Sequence, residues 1–260
     1  MPEPCIFCQA QATPTGEHLW SDWTNRLFDL GGYNVRKIEP DAHGFPGVTT
    51  QWRSSSVNIK VRVVCQRCNN TWMSDLEQKV KNIIKGMIVD AARVSLLPAD
   101  TATIAAFAFK TAVIYDHVNL SGAKRPFRGT FFSPKTRQDF RQFLTVPEGV
   151  HIWLAKFVSR ALHAGRLRGG YFKFKGGPWK DFHFFVTTYA VGHFAFQILC
   201  SRFRGRQHHK ISPPRVIQHP KWNGASVLMW PNHGLPVDWP PRQHFTDDSI
   251  DAFANRWEVA

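Results

Sequence analysis

Residues 65–77 read Cys-Gln-Arg-Cys-Asn-Asn-Thr-Trp-Met-Ser-Asp-Leu-Glu. A second cysteine pair with the same two-residue gap, Cys5 and Cys8, lies near the N-terminus. Structural zinc is held by four soft ligands in a tetrahedron, and a two-residue gap lets one tight turn direct both sulfurs to a single point. We therefore predict one structural zinc site, with four cysteine ligands: Cys5, Cys8, Cys65 and Cys68.

Two other interpretations of these cysteines are less favoured. A redox CxxC pair belongs in a thioredoxin-like βαβ context, and the sequence predicts none around either pair. Disulfide pairing would leave the fifth cysteine, Cys200, without a partner, and a chain of 260 residues can bury a core without such cross-links. Residues 1–5 show neither the basic region nor the apolar run of a signal peptide, so we expect a cytoplasmic protein.

The order of the motifs resembles the zinc-bearing HNH endonuclease family over about residues 5–90. It consists of CxxC at residues 5–8, EH at residues 17–18 and CxxCNN at residues 65–70. In that family two CxxC knuckles hold a ββα-metal finger, an acidic-His pair lies on the hairpin, and the second knuckle opens the helix. The stretch 69–77 is similar to a branch that carries EH in place of the commoner DH. The resemblance implies a hydrolase that cleaves DNA phosphodiester bonds.

The resemblance also implies a role for each matching residue. His18 would be the general base, since an imidazole can take a proton from water at neutral pH. Glu17 and Asn69 would supply hard oxygen ligands, which suit a catalytic Mg²⁺ or Mn²⁺ better than zinc. This second metal would be distinct from the structural zinc.

A helical wheel favours an inward-facing Asn69. A helix from about Asn69 to Val89 would carry one apolar stripe, formed by Trp72, Leu76, Val80, Ile83 and Met87. Asn69 lies on the same side as the stripe and would face the hairpin, although it could instead cap the helix. Glu77 lies on the opposite, polar face, and we interpret it as a solvated residue rather than a metal ligand.

Two departures from the family pattern leave an alternative open. Lys60 stands where the family usually has a middle asparagine, and the nearest asparagine, Asn58, lies two residues away. The interval between His18 and Cys65 is also longer than in compact members, which predicts an insertion in the hairpin. The alternative is a zinc-stapled nucleic-acid-binding protein without catalytic activity, and a third interpretation is a structural module of a larger complex.

For the whole chain we predict an α+β fold with two domains. Residues 1–95 would form the HNH-like, zinc-stapled nuclease domain, and residues 96–260 would form a basic α+β domain that grips nucleic acid. The second domain would contain helices and an antiparallel β-meander. Its predicted helices are one that Asp100 caps and that runs to about His117, one over Pro134–Phe143 capped by Ser133, and one over Thr246–Trp257. Its predicted strands cover 150–158, 170–176, 182–190, 192–200 and 225–230.

The positive charge is concentrated behind the predicted finger. The chain has a net charge of +14, and residues 101–215 hold 19 Lys and Arg against 4 Asp and Glu. We predict that part of this segment grips nucleic acid, with DNA as the expected form, through Arg160, Arg166, Arg168, Lys173, Lys175, Lys180, Arg202, Arg204, Arg206 and Lys210. A solvated basic face, an acidic protein partner or a membrane surface are the alternatives.

The sequence also bears on membrane insertion and on the oligomeric state. The most apolar stretch, 101–118, is interrupted by Lys110 and Asp116, so we predict no membrane span. Cutting both strands of DNA with one such site per chain would suggest a homodimer or two sequential nicks.

Overall fold

The structure is a computed structural model. It describes residues 4–19, 21–28, 33–40, 46–54, 60–117, 129–160, 165–172, 182–203 and 224–254. Helices and mostly antiparallel sheets are both present among these residues, as the α+β prediction expects.

Two nested strand pairs form the N-terminal part of the fold. Its elements are β1 (Pro14–His18), α1 (Asp22–Asn25), β2 (Tyr33–Pro40), β3 (Pro46–Ser54), β4 (Lys60–Cys65), α2 (Gln66–Cys68), a π-helical turn (Asn69–Met73) and α3 (Ser74–Val89). β1 pairs with β4 and β2 pairs with β3, both antiparallel. The predicted insertion in the hairpin is therefore a second hairpin placed between β1 and β4.

The helical run after β4 ends at Val89, as predicted, but its buried face differs from the predicted stripe. Leu76, Val80 and Met87 are buried as expected. Met73 and Ile84 are buried, whereas the expected Trp72 and Ile83 are only half-buried. A kink inside the π-helical turn explains the first difference, because Thr71 has a φ of −111° and a ψ of −107°, outside the helical range, and the break places Trp72 out of phase with α3.

The C-terminal part begins with a short strand and a helix that is buried on nearly all sides. The C-terminal part contains β5 (Val94–Leu96), α4 (Pro98–Tyr115), α5 (Pro134–Phe143), β6 (Val150–Val158), β7 (Gly165–Phe172), β8 (Phe182–Val191), β9 (Phe194–Phe203), β10 (Ser226–Trp230), β11 (Val237–Trp239), β12 (Phe245–Thr246) and α6 (Ile250–Ala254). α4 begins at Pro98, before Asp100, whose carboxylate accepts a bond of 3.0 Å from the backbone N–H of Leu97. No helix in the described ranges is long and apolar enough to cross a membrane.

The large sheet is more complex than the predicted meander. Its strand order is β10-β6-β9-β8-β7, with β12 pairing with β6. β7, β8 and β9 follow one another as antiparallel neighbours, but β6 lies beside β9 rather than beside β7. This is a Greek-key order, and the meander prediction therefore describes only β7–β9.

Two predicted elements have different bounds in the structure. β7 begins at Gly165 rather than at residue 170, and it passes so close to α4 that a Cβ on Gly169 would collide with the ring of Tyr115. The absence of a side chain at Gly169 thus permits a close approach of the strand backbone to the helix. Among the described residues the closing helix covers only Ile250–Ala254. Thr246, its predicted first residue, belongs to β12 instead, and its N–H donates a hydrogen bond to the hydroxyl of Ser249.

One cluster of buried side chains includes residues from both sides of the boundary predicted at 95/96. Phe7 and Val64 from the N-terminal part belong to the same cluster as Phe109, Ile152 and Trp239. The division into two domains stays a prediction, but α4 packs directly on α3.

Candidate functional site

The first cysteine pair lies in a hydrogen-bonded turn against β4. The N–H of Cys5 donates to Ala10, and the N–H of Gln9 donates back to Cys5. The N–H of Ile6 donates to the carbonyl of Val63 at 3.0 Å, which fixes the turn to the strand that ends at Cys65. Backbone hydrogen bonds therefore hold the first CxxC turn beside the strand that leads into the second.

The four predicted zinc ligands converge on one point. The sulfurs of Cys5, Cys8, Cys65 and Cys68 all lie within 4.8 Å of one another, and none of these cysteines forms a disulfide. The Sγ atoms of Cys8 and Cys65 are 3.6 Å apart. A zinc ion with Zn–S bonds of about 2.3 Å in a tetrahedron requires sulfurs separated by about 3.8 Å. The cluster therefore fits a four-coordinate, zinc-sized ion.

Electrostatics within the cluster also favour a metal. A hydrogen bond from the Cys68 thiol lowers the pKa of Cys5, and the same contact raises the pKa of Cys68. Burial raises the pKa of Cys8. Without a cation, deprotonation of a second thiol beside the first thiolate is therefore unfavourable. A Zn²⁺ ion removes this opposition, because it stabilises all the thiolates that it binds.

A buried arginine from α5 supports the first cysteine turn. Nε of Arg137 donates to the carbonyl of Ile6, between Cys5 and Cys8, at 2.9 Å. Its Nη1 donates to the carbonyl of Phe132 at 2.8 Å. The sequence analysis missed this residue, since no spacing rule links position 137 to the N-terminal turn.

Aromatic rings link both cysteine turns to the helices behind them. Phe7 packs edge-to-face on Trp72 with a centroid distance of 5.0 Å. Trp72 in turn contacts Phe140 of α5 at 5.9 Å, and Phe140 contacts Phe109 of α4 at 4.8 Å. The prediction of Trp72 as a packing residue is consistent with these contacts, which join the cysteine turns to both helices.

Glu17, a predicted metal ligand, lies in a buried ion pair. It is only 4% exposed, and its Oε1 is 2.9 Å from Nζ of Lys110 on α4. Oε1 of Glu77 on α3 is 2.6 Å from the same nitrogen. Glu77 is thus a partner of a buried cation, rather than the solvated residue that the helical wheel indicated.

The charge of Lys110 is maintained by these two carboxylates. Burial alone would lower the pKa of Lys110, but the charges of Glu17 and Glu77 outweigh it and raise that pKa. Removing charges from water costs several kcal/mol per ion, so such a group is usually paired. A lone lysine within an apolar helix is the sequence signal that could have predicted a buried ion pair, although it does not identify the partners.

His18 follows Glu17 on β1 and lies opposite Lys60 of β4. Its side chain is half-buried. Burial lowers the pKa of His18, and the nearby charge of Lys60 lowers it further, against the opposite effect of nearby carboxylates. The imidazole is consequently neutral at neutral pH, the form that can accept a proton.

Asn69 connects the start of the helical run to β1. Its Nδ2 donates to the hydroxyl of Thr15 at 3.3 Å, and that hydroxyl donates to the carbonyl of Val64 at 3.0 Å. The β1–β4 pairing shifts register between Thr15 and Gly16, which changes the direction of the residues that follow. Asn69 thus contacts β1 at Thr15, which precedes Glu17 by two residues.

The predicted basic grip is described only in part. Arg160 is an exposed side chain with its Nη2 at 3.7 Å from Asp248, and Arg202 donates to the carbonyl of Phe131 at 2.7 Å. Arg166 and Arg168 lie on β7. The remaining predicted residues of the grip, together with the candidate Asn58, lie outside the described residues: Lys173, Lys175, Lys180, Arg204, Arg206 and Lys210.

Comparisons of this chain with protein families, with curated proteins and with solved structures found no match. The class that the fold and the site define on their own is an α+β protein with a four-cysteine cluster able to bind a metal ion. Any function has to be argued from the chemistry of the residues around that cluster.

Proposed function

We propose that the protein is a metal-dependent endonuclease of HNH type, which hydrolyses DNA phosphodiester bonds. The observation that carries the proposal is the arrangement of β1, β4 and the helical run after Cys68 around one four-cysteine cluster. Glu17 and His18 lie on the first strand of this unit, and Asn69 lies at the start of the helical run. This is the order of elements and residues that the sequence resemblance implies.

In this proposal His18 is the general base. It accepts a proton from the attacking water, and the resulting hydroxide forms a new P–O bond while the bond between phosphorus and the leaving oxygen breaks. The leaving oxygen then takes a proton from solvent water. Glu17 and Asn69 would hold Mg²⁺ or Mn²⁺, and the ion would supply positive charge beside the leaving oxygen.

The four cysteines have a structural role in the proposal. Zinc at Cys5, Cys8, Cys65 and Cys68 holds the β1–β4 pair against the start of the helical run, and so fixes the position of Asn69 relative to β1. Basic residues of the C-terminal part bind the DNA backbone and contribute affinity without sequence preference.

The ion pair of Glu17 favours one rival function. An ammonium group beside Glu17 neutralises part of the negative charge that would attract a divalent ion. If Glu17 serves only to pair Lys110, the protein is a zinc-stapled nucleic-acid-binding protein without catalytic activity. The rival keeps the zinc and the basic surface but has no catalytic metal.

Cleavage of supercoiled plasmid separates the two functions. The zinc-loaded protein is incubated with plasmid and Mg²⁺ or Mn²⁺, or with no added divalent ion. We expect nicking or linearisation only when the ion is present. The His18→Ala variant should lose this cleavage but keep its zinc and its melting temperature. His233→Ala, a change of an exposed histidine, is the control and should cleave normally.

Each alternative outcome has a definite meaning. Cleavage by His18→Ala at the normal rate would contradict the assigned base. Intact plasmid together with salt-sensitive retardation in gels would favour the binding protein. Retardation without cleavage would also make the Glu17–Lys110 ion pair a purely structural contact.

A further inference from the structure

A cavity of about 620 Å³ lies outside the proposed catalytic site. It is formed by the segment that contains β5, by β6 and by the segment that runs from β11 to β12. Four basic side chains line it: Arg93, Lys156, Arg242 and His244. Among the residues that the structure describes, Asp238 is the one acidic side chain in its wall. The cavity therefore has an excess of positive charge even when the histidine is neutral.

The two arginines and the lysine have no ion-pair partner in the described part of the chain. No carboxylate there lies within ion-pair distance of Arg93, Lys156 or Arg242. Arg93 and Arg242 are exposed, whereas Lys156 is half-buried on β6 between the buried Ala155 and Phe157. Lys156 lines the cavity without a carboxylate partner among the described residues, so its charge can pair with a bound anion.

Charge counting along the chain could not reveal this cavity. Arg93 comes from the N-terminal hundred residues, which are close to neutral, and Arg242 comes from residues 216–260, where acids outnumber bases. Only Lys156 belongs to the strongly basic segment. The antiparallel pairing of β5 with β11 brings the first two segments together beside β6.

We propose that this cavity binds consecutive phosphates of a nucleic-acid strand. Arginine forks pair with phosphate oxygens through two parallel hydrogen bonds, and a lysine adds a compact positive charge. The cavity is open and polar, and it is larger than one inorganic phosphate requires. This inference rests on the proposed function for its substrate class, but it makes the cavity a second contact with the strand, separate from the predicted grip.

Binding of a labelled oligonucleotide tests the inference without requiring cleavage. Fluorescence anisotropy is measured over a series of salt concentrations, with no added Mg²⁺ or Mn²⁺, for the wild type and for Arg93→Gln/Lys156→Gln/Arg242→Gln. Each lost phosphate contact should reduce the slope of log affinity against log salt by about 0.7 for a single strand. We therefore expect the slope of the triple variant to fall by about 2.

A control variant removes the same charge elsewhere. Lys79→Gln/Lys85→Gln/Lys135→Gln changes three exposed lysines on α3 and α5 and should leave the slope close to that of the wild type. Because Lys156 is half-buried, the double variant Arg93→Gln/Arg242→Gln is measured as well, with an expected fall of about 1.4. Zinc content and circular dichroism verify that each variant is folded.

The outcomes distinguish this inference from the proposed function. A wild type that binds the oligonucleotide through the cavity but never cleaves plasmid would refute the nuclease and leave the inference standing. Equal slopes for the triple variant and the control would overturn the inference. Binding of pyrophosphate is measured on the same proteins by titration calorimetry. If the triple variant loses pyrophosphate binding while its oligonucleotide binding is unchanged, the inference is overturned and the cavity is assigned to a small anion.

Discussion

The four-cysteine cluster and the Glu17–His18–Asn69 group lie in the same part of the fold, but they depend on the rest of the chain in different ways. The cysteines occupy two short turns, and their sulfurs meet within 4.8 Å as their spacing predicted. Glu17 instead pairs with Lys110, which is 93 residues away in the sequence. Local spacing thus specifies the first site, whereas a distant helix completes the surroundings of the second.

This difference has a physical basis. A CxxC turn encodes its ligand geometry within a few residues, and zinc imposes the same tetrahedron wherever the turns meet. A buried carboxylate takes its chemistry from whatever charges pack against it, and those depend on the complete tertiary structure. A motif is therefore a better predictor of a thiolate zinc site than of a carboxylate's role.

The largest effect that would sharpen this comparison is loss of the metal. Structural zinc contributes roughly 10–16 kcal/mol of apparent binding free energy, which is comparable to or above the usual stability of a whole domain. We expect Cys65→Ser to lose zinc and to unfold the N-terminal part, as seen by metal analysis and circular dichroism. Cys200→Ala changes a buried cysteine outside the cluster and should keep its zinc. A folded, zinc-free Cys65→Ser protein would contradict the assignment.

The next effect tests the buried ion pair. Lys110→Met leaves the carboxylates of Glu17 and Glu77 facing each other without a cation. Breaking a buried pair in this way typically costs about 3–5 kcal/mol, so the free energy of unfolding measured in urea should fall by that amount. Lys135→Met removes an exposed ion pair with Asp139 and should change stability by less than about 1 kcal/mol.

A rescue variant identifies the cause of that loss. Adding Glu17→Gln and Glu77→Gln to Lys110→Met removes the unpaired negative charges and should recover part of the stability. No recovery would mean that the loss came from packing of the long lysine chain. Unchanged stability of Lys110→Met itself would contradict the ion pair.

A smaller effect is expected at the support of the first cysteine turn. Arg137→Met removes the donor to the carbonyl of Ile6 and leaves that buried group unpaired, which costs about 1–3 kcal/mol. Because the turn holds Cys5 and Cys8, we also expect faster zinc release to a chelator, measured with a colorimetric zinc indicator. Arg141→Met, on the same helix, is the control. Equal release rates would separate Arg137 from the metal site.

The smallest effect is at the start of α5. The hydroxyl of Ser133 accepts a bond of 3.1 Å from the N–H of Thr136. Ser133→Ala should lower the free energy of unfolding by about 1 kcal/mol, and Ser133→Asp should retain most of it. Thermal unfolding of the two variants compares them directly, and an alanine variant as stable as the aspartate variant would exclude the cap.

Several elements could be predicted because their signals are local. The bounds of α5 and β6, the cap at Ser133 and the end of α3 at Val89 agree with the sequence analysis. Each is marked by a cap, a proline or an alternation of apolar residues within a few positions. The cysteine cluster belongs to the same group.

The remaining features depend on long-range packing. The Greek-key position of β6 beside β9 cannot be read from strand patterns, because the pattern of a strand does not identify its neighbour. Gly169 lies just before the predicted start of its strand at residue 170, and only the structure shows that Tyr115 leaves no room there for a side chain. The pairing of Lys110 with Glu17 likewise needed the structure.

X-ray absorption at the zinc edge of the purified protein tests the central claim most directly. The account predicts one zinc ion per chain, surrounded by four sulfur atoms at about 2.3 Å. A protein without zinc, or a zinc ion with nitrogen or oxygen among its four ligands, would contradict the four-thiolate site on which the folded arrangement of Glu17, His18 and Asn69 depends.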